Sequence, residues 1–196
     1  MTWADQRRWA WLRVVSLAIL LCPVKAATAE ADPWLDFVLA VREADHASFG
    51  TAALLIGVNA RDPRELREQT PLHWVARFDR LQMAEWLLEA GARLDAVDAT
   101  GKTPLAVAIE HGASDTAALL ILRGAPVNPP HPSGRSPLFL AVVHRNVSIA
   151  ALLLDHGASA DNVVELLSGP ATVADIVRQG DDLAMQRLFK AKGKLK

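Results

Sequence analysis

Thiol chemistry is nearly absent from this chain: one of its 196 residues is cysteine, and that residue, Cys22, lies in the apolar N-terminal stretch. If the stretch is cleaved, the remaining chain has no thiol, which excludes disulfides, a cysteine nucleophile and cysteine-liganded zinc and suits an oxidising compartment. Signatures of catalysis are missing too. No pair of the six histidines has the H-E-x-x-H spacing, no G-x-S-x-G occurs, and no glycine-rich loop stands between a strand and a helix. A membrane-spanning helix needs about 20 mainly apolar residues. Here Arg13 interrupts the stretch from Trp9, and the run Val14 to Cys22 is followed by Pro23 and Val24, so only eleven residues stand without a charge before Lys25. An excess of one charge is lacking as well, with 21 basic against 22 acidic residues.

With 51 % hydrophobic and 22 % charged residues, the chain suits one domain with a buried core. Its start has the three-part layout of a secretory signal: Arg7, Arg8 and Arg13, the run to Cys22, then Lys25-Ala26-Ala27-Thr28-Ala29. We expect residues 1–29 to be a signal peptide cleaved after Ala29, with Ala26 as an earlier site and an uncleaved anchor as the alternative. Either way the domain would be periplasmic or secreted, with no stable membrane insertion once the signal is cleaved. Cleavage removes four basic residues and Asp5, leaving 17 basic against 21 acidic residues and a formal charge of −4. Such a domain has no general attraction for nucleic acid. The basic tail Lys190, Lys192, Lys194 and Lys196 reads as a solvated end.

A Pro-Leu motif recurs at intervals of 33 residues, in Thr70-Pro71-Leu72, Thr103-Pro104-Leu105 and Ser136-Pro137-Leu138. The same spacing links Ala84, Ala117 and Ala150, the pairs Gly91-Ala92, Gly124-Ala125 and Gly157-Ala158, and the polar residues Asp95, Asn128 and Asp161. A fixed period of this size marks a stacked repeat protein. Its local chemistry is helical. Thr70 can cap a helix whose first position is Pro71, Leu72, Val75 and Ala76 form an apolar stripe, and a second apolar stretch, Met83 to Leu88, ends at Gly91. Each unit is therefore two short antiparallel helices, joined in the first clear copy around Phe78-Asp79-Arg80.

Thr70-Pro71-Leu72-His73-Trp74-Val75, followed by Leu87-Leu88, Gly91-Ala92, Asp95, Asp98 and Gly101, resembles the ankyrin repeat. The resemblance implies an all-α ankyrin-repeat solenoid of stacked helix pairs with hairpin-like loops, in an exported protein of bacterial type. Three units match closely: 70–102, 103–135 and 136–168. We expect residues 30–69 to be a degenerate first repeat, with Leu54-Leu55 and Asp62 in register. Residues 169–196 should be capping helices and the basic tail, with Pro170 and Ala174 in register and a lengthened turn near Gly180. His73 has no counterpart at Ala106 or Phe139 and corresponds to a structural hydrogen-bonding residue of the family; His156 suits a helix end.

The family's mode of binding implies a non-enzymatic adaptor that docks a protein partner on its concave face and modulates, protects or inhibits it. Carried over position by position, the loop tips offer Val97, Ala99, Thr100 and Lys102 in one loop and Pro130, Pro132, Ser133 and Arg135 in the next. The first-helix face offers Arg77 and Phe78, Glu110 and His111, and Val143 and His144. Phe78 and Val143 would supply apolar anchoring, and the proline-rich loop a stiff surface. No cofactor or metal is expected, and a capped solenoid of this kind can be a monomer. Two alternatives stand beside this reading: an enzymatic or metal site in the flanks, where Glu43, Asp45, His46, Asp181 and Asp182 lie, and a structural part of an envelope complex. His111 and His144, 33 residues apart, would stack on adjacent repeats.

Overall fold

The computed structural model describes residues 32–130, 135–166 and 169–195. The expected signal segment, Pro132, Ser133 and Lys196 lie outside the described residues. Helices α1 (Pro33–Glu43) and α2 (His46–Ile56) form the first pair. Three regular pairs follow: α3 (Pro71–Arg77) with α4 (Leu81–Glu89), α5 (Pro104–Glu110) with α6 (Ser114–Leu122), and α7 (Pro137–Val143) with α8 (Val147–Asp155). An antiparallel hairpin, β1 (Val163–Leu166) with β2 (Gly169–Thr172), leads into α9 (Val173–Gln179) and α10 (Leu183–Ala191). The first helices α3, α5 and α7 pack side by side in one layer, and α4, α6 and α8 in a second.

Each element of the repeat motif has a visible task. Thr103 and Ser136 accept hydrogen bonds from the backbone N–H groups of Ala106 (3.3 Å) and Phe139 (3.2 Å), satisfying donors that the first turn leaves free. Proline then fills the position where no N–H is needed. Leu72, Leu105 and Leu138 are fully buried, as are Ala84, Ala117 and Ala150, whose small side chains let the second helices approach their neighbours. The Gly-Ala pairs close the second helices. Gly91, Gly124 and Gly157 take φ of +90°, +87° and +85°. That backbone turn lets Ala92, Ala125 and Ala158 donate to the carbonyls of Leu87, Leu120 and Leu153 at 2.8–2.9 Å.

Bonds between units recur at two of the junctions. Asn128 donates to the Gly157 carbonyl (2.9 Å) and accepts from the Ser159 N–H (2.9 Å). Asn59 does the same one end earlier, with the Gly91 carbonyl (3.0 Å) and the Arg93 N–H (2.8 Å). Arg80 reaches back to the carbonyls of Val41 (2.7 Å) and Arg42 (2.5 Å), capping the free end of α1. A chain of aromatic contacts, Trp34–Phe37–Phe49–Trp86, with ring centroids 5.5–5.8 Å apart, joins the first pair to α4.

Both flanks depart from the expected register. In the first pair, Leu54 and Leu55 are 52 % and 71 % exposed, and Phe49, Ala52 and Ala53 face the core instead. It is Asn59, not Asp62, that makes the bridge Asn128 makes; Asp62 is buried and accepts from the Arg64 guanidinium at 3.0 Å. The loop that follows is longer than its counterpart: Asp62 N–H donates to the Gln69 carbonyl, where the equivalent bond joins Asp98 to Lys102. At the other end, Pro170 lies in β2, and the last pair begins with Thr172, whose capping box with Asp175 starts α9. The turn at Gly180 is not lengthened. Residues Gln179 to Leu183 join α9 to α10 with the same spacing as Arg77 to Leu81. The additional residues lie in the hairpin, the one β element among the described residues of an otherwise helical stack.

Candidate partner-binding site

Buried His73 sets the position of the first regular loop. Its Nδ1 accepts from the Thr70 N–H (3.2 Å) and contacts the Thr70 hydroxyl (2.8 Å), which leaves Nε2 as the N–H that donates to the Lys102 carbonyl (3.0 Å). Burial holds the imidazole below its ordinary pKa, against the opposing pull of the Lys102 carbonyl, so the ring is neutral. The loop itself is organised by Asp98. Its carboxylate accepts from the Thr100 N–H (2.8 Å) and hydroxyl (2.6 Å), the Lys102 N–H (3.0 Å) and the Gln69 amide (3.3 Å). Burial works against ionisation here, but those hydrogen bonds outweigh it and hold Asp98 below the usual carboxylate range. Ala99 N–H donates to the Arg67 carbonyl (2.8 Å), tying this tip to the longer one before it.

Two clefts open between the tips and the first helices. One, of about 210 Å³, is lined by Thr100, Lys102, Ala106, Glu110, Arg135 and Leu140. Lys102 Nζ lies 2.7 Å from Glu110 Oε2 at its wall, both side chains about one-fifth exposed. The other, of about 500 Å³, is lined by Glu65, Leu66, Arg67, Arg77 and His111. Leu66 is 99 % exposed. The Arg77 guanidinium lies over the Trp74 ring, 5.1 Å from its centroid, and the Phe78 ring stacks parallel to the same indole at 6.2 Å.

Of the residues expected to meet a partner, Arg77, Thr100, Lys102, Glu110, His111 and Arg135 line these clefts. Phe78 is half-buried against Trp74. Val97, Ala99, Pro130, Val143 and His144 are exposed but line neither cleft. The sequence reading missed Leu66 and Arg67, because Asp62 keeps the repeat spacing to Thr70; only the structure shows that Asp62 takes the place of Asp98, eight residues before its threonine where Asp98 is five. Nor does the motif reveal that the buried Trp74 indole carries Arg77.

Several other titratable groups have structural tasks. His111 Nδ1 donates to the Val107 carbonyl and His156 Nδ1 to the Leu152 carbonyl, both at 2.9 Å, closing their helices. In the flanks, Asp45 caps α2 and Asp182 caps α10, while Asp181 pairs with Arg145 at 2.7 Å. Hydrogen bonds from Ser48 hold Asp45 below its ordinary value. Among the described residues no three His, Cys, Asp or Glu side chains are placed to share a metal ion, and no helix is long and apolar enough to cross a membrane.

The pattern is matched by known families. Residues 38–131 match the model described as "Ankyrin repeats (3 copies)", and residues 133–166 match "Ankyrin repeat". Among curated proteins, Rabankyrin-5 of Homo sapiens is 44 % identical over 59 residues, which cover 29 % of this chain and 5 % of that protein. The chain thus spans a small fraction of that relative's length. The two family matches together with the helix pairs, Gly-Ala closures and loop tips lead to one conclusion: the chain belongs to the ankyrin-repeat family, and its stack is a protein–protein interaction module.

Proposed function

We propose that this protein is an exported, non-enzymatic adaptor that docks one protein partner on the face formed by the loop tips and first helices, and thereby modulates, protects or inhibits it. The observation that carries the reading is the pair of adjoining clefts, in which tip residues Leu66, Arg67, Thr100 and Arg135 stand beside the helix residues Arg77, Glu110 and His111. The tips are fixed before any partner arrives, through His73, Asp98 and the Ala99–Arg67 bond. A surface already ordered loses little conformational entropy on binding. Export rests on the basic, apolar and small-residue layout of residues 1–29.

The full-length chain, tagged at its C-terminus and expressed in a Gram-negative host, should appear in the envelope fraction with a mass that begins at Glu30. An intact mass containing residues 1–29 would refute cleavage, and retention in the cytosol would refute export. Crosslinking in that fraction should capture one dominant protein. Capture unchanged by Phe78→Ala combined with His111→Ala would overturn the assignment of the face.

A further inference from the structure

We propose that the same face takes an extended acidic peptide segment of the partner: an aspartate or glutamate carboxylate is gripped by Arg77, and neighbouring apolar side chains rest on Leu66 and Leu140. This rests on the adaptor reading and deepens it by naming the chemistry of what is bound.

The charge around the clefts is unbalanced in a chain that is not. Arg67, Arg77, Lys102 and Arg135 line them, against Glu65 and Glu110. Glu110 is already engaged by Lys102. Among the described residues Arg67, Arg77 and Arg135 have no ion-pair partner, whereas Arg61, Arg64, Arg93, Arg145 and Arg178 each have one. The second helices have the opposite character: α4, α6 and α8 carry Glu85, Glu89, Asp115 and Asp155 and no Lys or Arg. The basic lining of the clefts thus contrasts with the acidic second helices, although Arg42, Arg80, Arg123 and Arg187 elsewhere also have no ion-pair partner among the described residues.

Arg77 is the group best prepared to use that charge. Stacking on Trp74 confines its guanidinium, so little freedom is lost when a carboxylate approaches. The stack also leaves a polar deficit: Arg77 Nε and Trp74 Nε1 are both buried with no hydrogen-bond partner. Trp74 is only 6 % exposed. A carboxylate is the acceptor whose two oxygens match the guanidinium fork.

The rest of the lining favours a peptide over a polyanion. Leu66 stands fully in solvent beside Arg67, and Leu140 and Ala106 form the floor of the neighbouring cleft. Such surfaces reward leucine-like or aromatic side chains, whereas a nucleic acid is held by many cations along its backbone.

The test is selection of random peptides displayed on phage against the full-length chain, followed by fluorescence anisotropy with the most enriched peptide carrying fluorescein. Enriched sequences should show an excess of Asp and Glu next to Leu, Ile, Val or Phe. Arg77→Gln should weaken the labelled peptide about tenfold or more, with Arg77→Lys between the two because it keeps the charge but not the fork. Arg187→Gln, on exposed α10, should leave binding unchanged, and matching circular dichroism melts show that the variants fold. Enriched peptides without acidic excess, or an acidic peptide indifferent to Arg77→Gln, overturn this inference while leaving the adaptor reading intact. So does loss of binding when only the peptide's C-terminal carboxylate is amidated. Stronger displacement by a single-stranded oligonucleotide than by unlabelled peptide overturns it in favour of nucleic acid. Failure to enrich any peptide, together with no crosslinked protein, overturns the adaptor reading itself.

Discussion

Replacing His73 by alanine removes a ring that no solvent touches, and the structure fixes what is lost. The Thr70 N–H loses its acceptor, which costs about 1–3 kcal/mol for a buried donor left unpaired. The bond from Nε2 to the Lys102 carbonyl contributes about 1 kcal/mol more, and the space vacated beside fully buried Leu72 adds to that. The two bonds together come to about 2–4 kcal/mol before that space is counted, a large share of the roughly 5–15 kcal/mol that holds a domain folded. A second signature is independent of that sum. The folded-state pKa of His73 lies below the ordinary 6.5, so the unfolded chain takes up the proton first. The stabilisation from a neutral His73 is complete above that value and falls as pH drops through it, until the depressed folded pKa is passed. The loss has a limiting slope of about 1.4 kcal/mol per pH unit for one proton. Urea unfolding followed by tryptophan fluorescence at about pH 7, 6 and 5 measures both effects. The alanine variant should be less stable throughout and should show a shallower acid slope than the parent. Parallel slopes would refute the claim that a neutral, buried His73 holds the loop, whatever the offset between the curves.

Asp98→Asn keeps an oxygen for Thr100 and Lys102 but sets an amide against Gln69, and should cost about 1–2 kcal/mol near neutral pH. Because the carboxylate is held below 3.8, the parent's advantage is full above that value and shrinks as acidification passes through the folded-state pKa; urea titrations whose curves fail to converge in acid would count against it. Asn128→Ala severs both bonds to the next unit and should lower the unfolding free energy by about 1–2 kcal/mol, with faster hydrogen exchange around Ser159 as the local readout. Ala117→Leu should cost about 1–3 kcal/mol in the same unfolding assay, because the fully buried site between α6 and its neighbours has no room for three more carbons.

What could be read from the sequence follows from where the period is enforced. Thr-Pro-Leu, the alanine column and Gly-Ala each answer a geometric demand that repeats with every helix pair, so they recur at fixed spacing and identify the stack. Loops answer no such demand. The longer tip after Asp62 and the hairpin before Thr172 add residues without disturbing any helix, and a fixed register carried across them misassigned Leu54, Leu55 and Pro170. Thr172 with Asp175 three residues on was the local signal that α9 starts later. Of the face residues carried over from the family's mode of binding, Arg77, Thr100, Lys102, Glu110, His111 and Arg135 line the clefts. The stacking of Arg77 on Trp74 was out of reach, since it depends on two rings and a guanidinium meeting across one helical turn.

The ties between units, Asn59 to Gly91, Asn128 to Gly157 and Arg80 to Val41, each reach only to the adjacent pair. Nothing among them couples the first unit to the fourth. Under tension applied at its two ends, such a molecule behaves as links in series: the weakest terminal link gives way, the load passes to the next, and each regular unit of 33 residues releases about 110–120 Å of chain. Its resistance to pulling is therefore that of a single link, however many units are stacked, and the slack appears in steps.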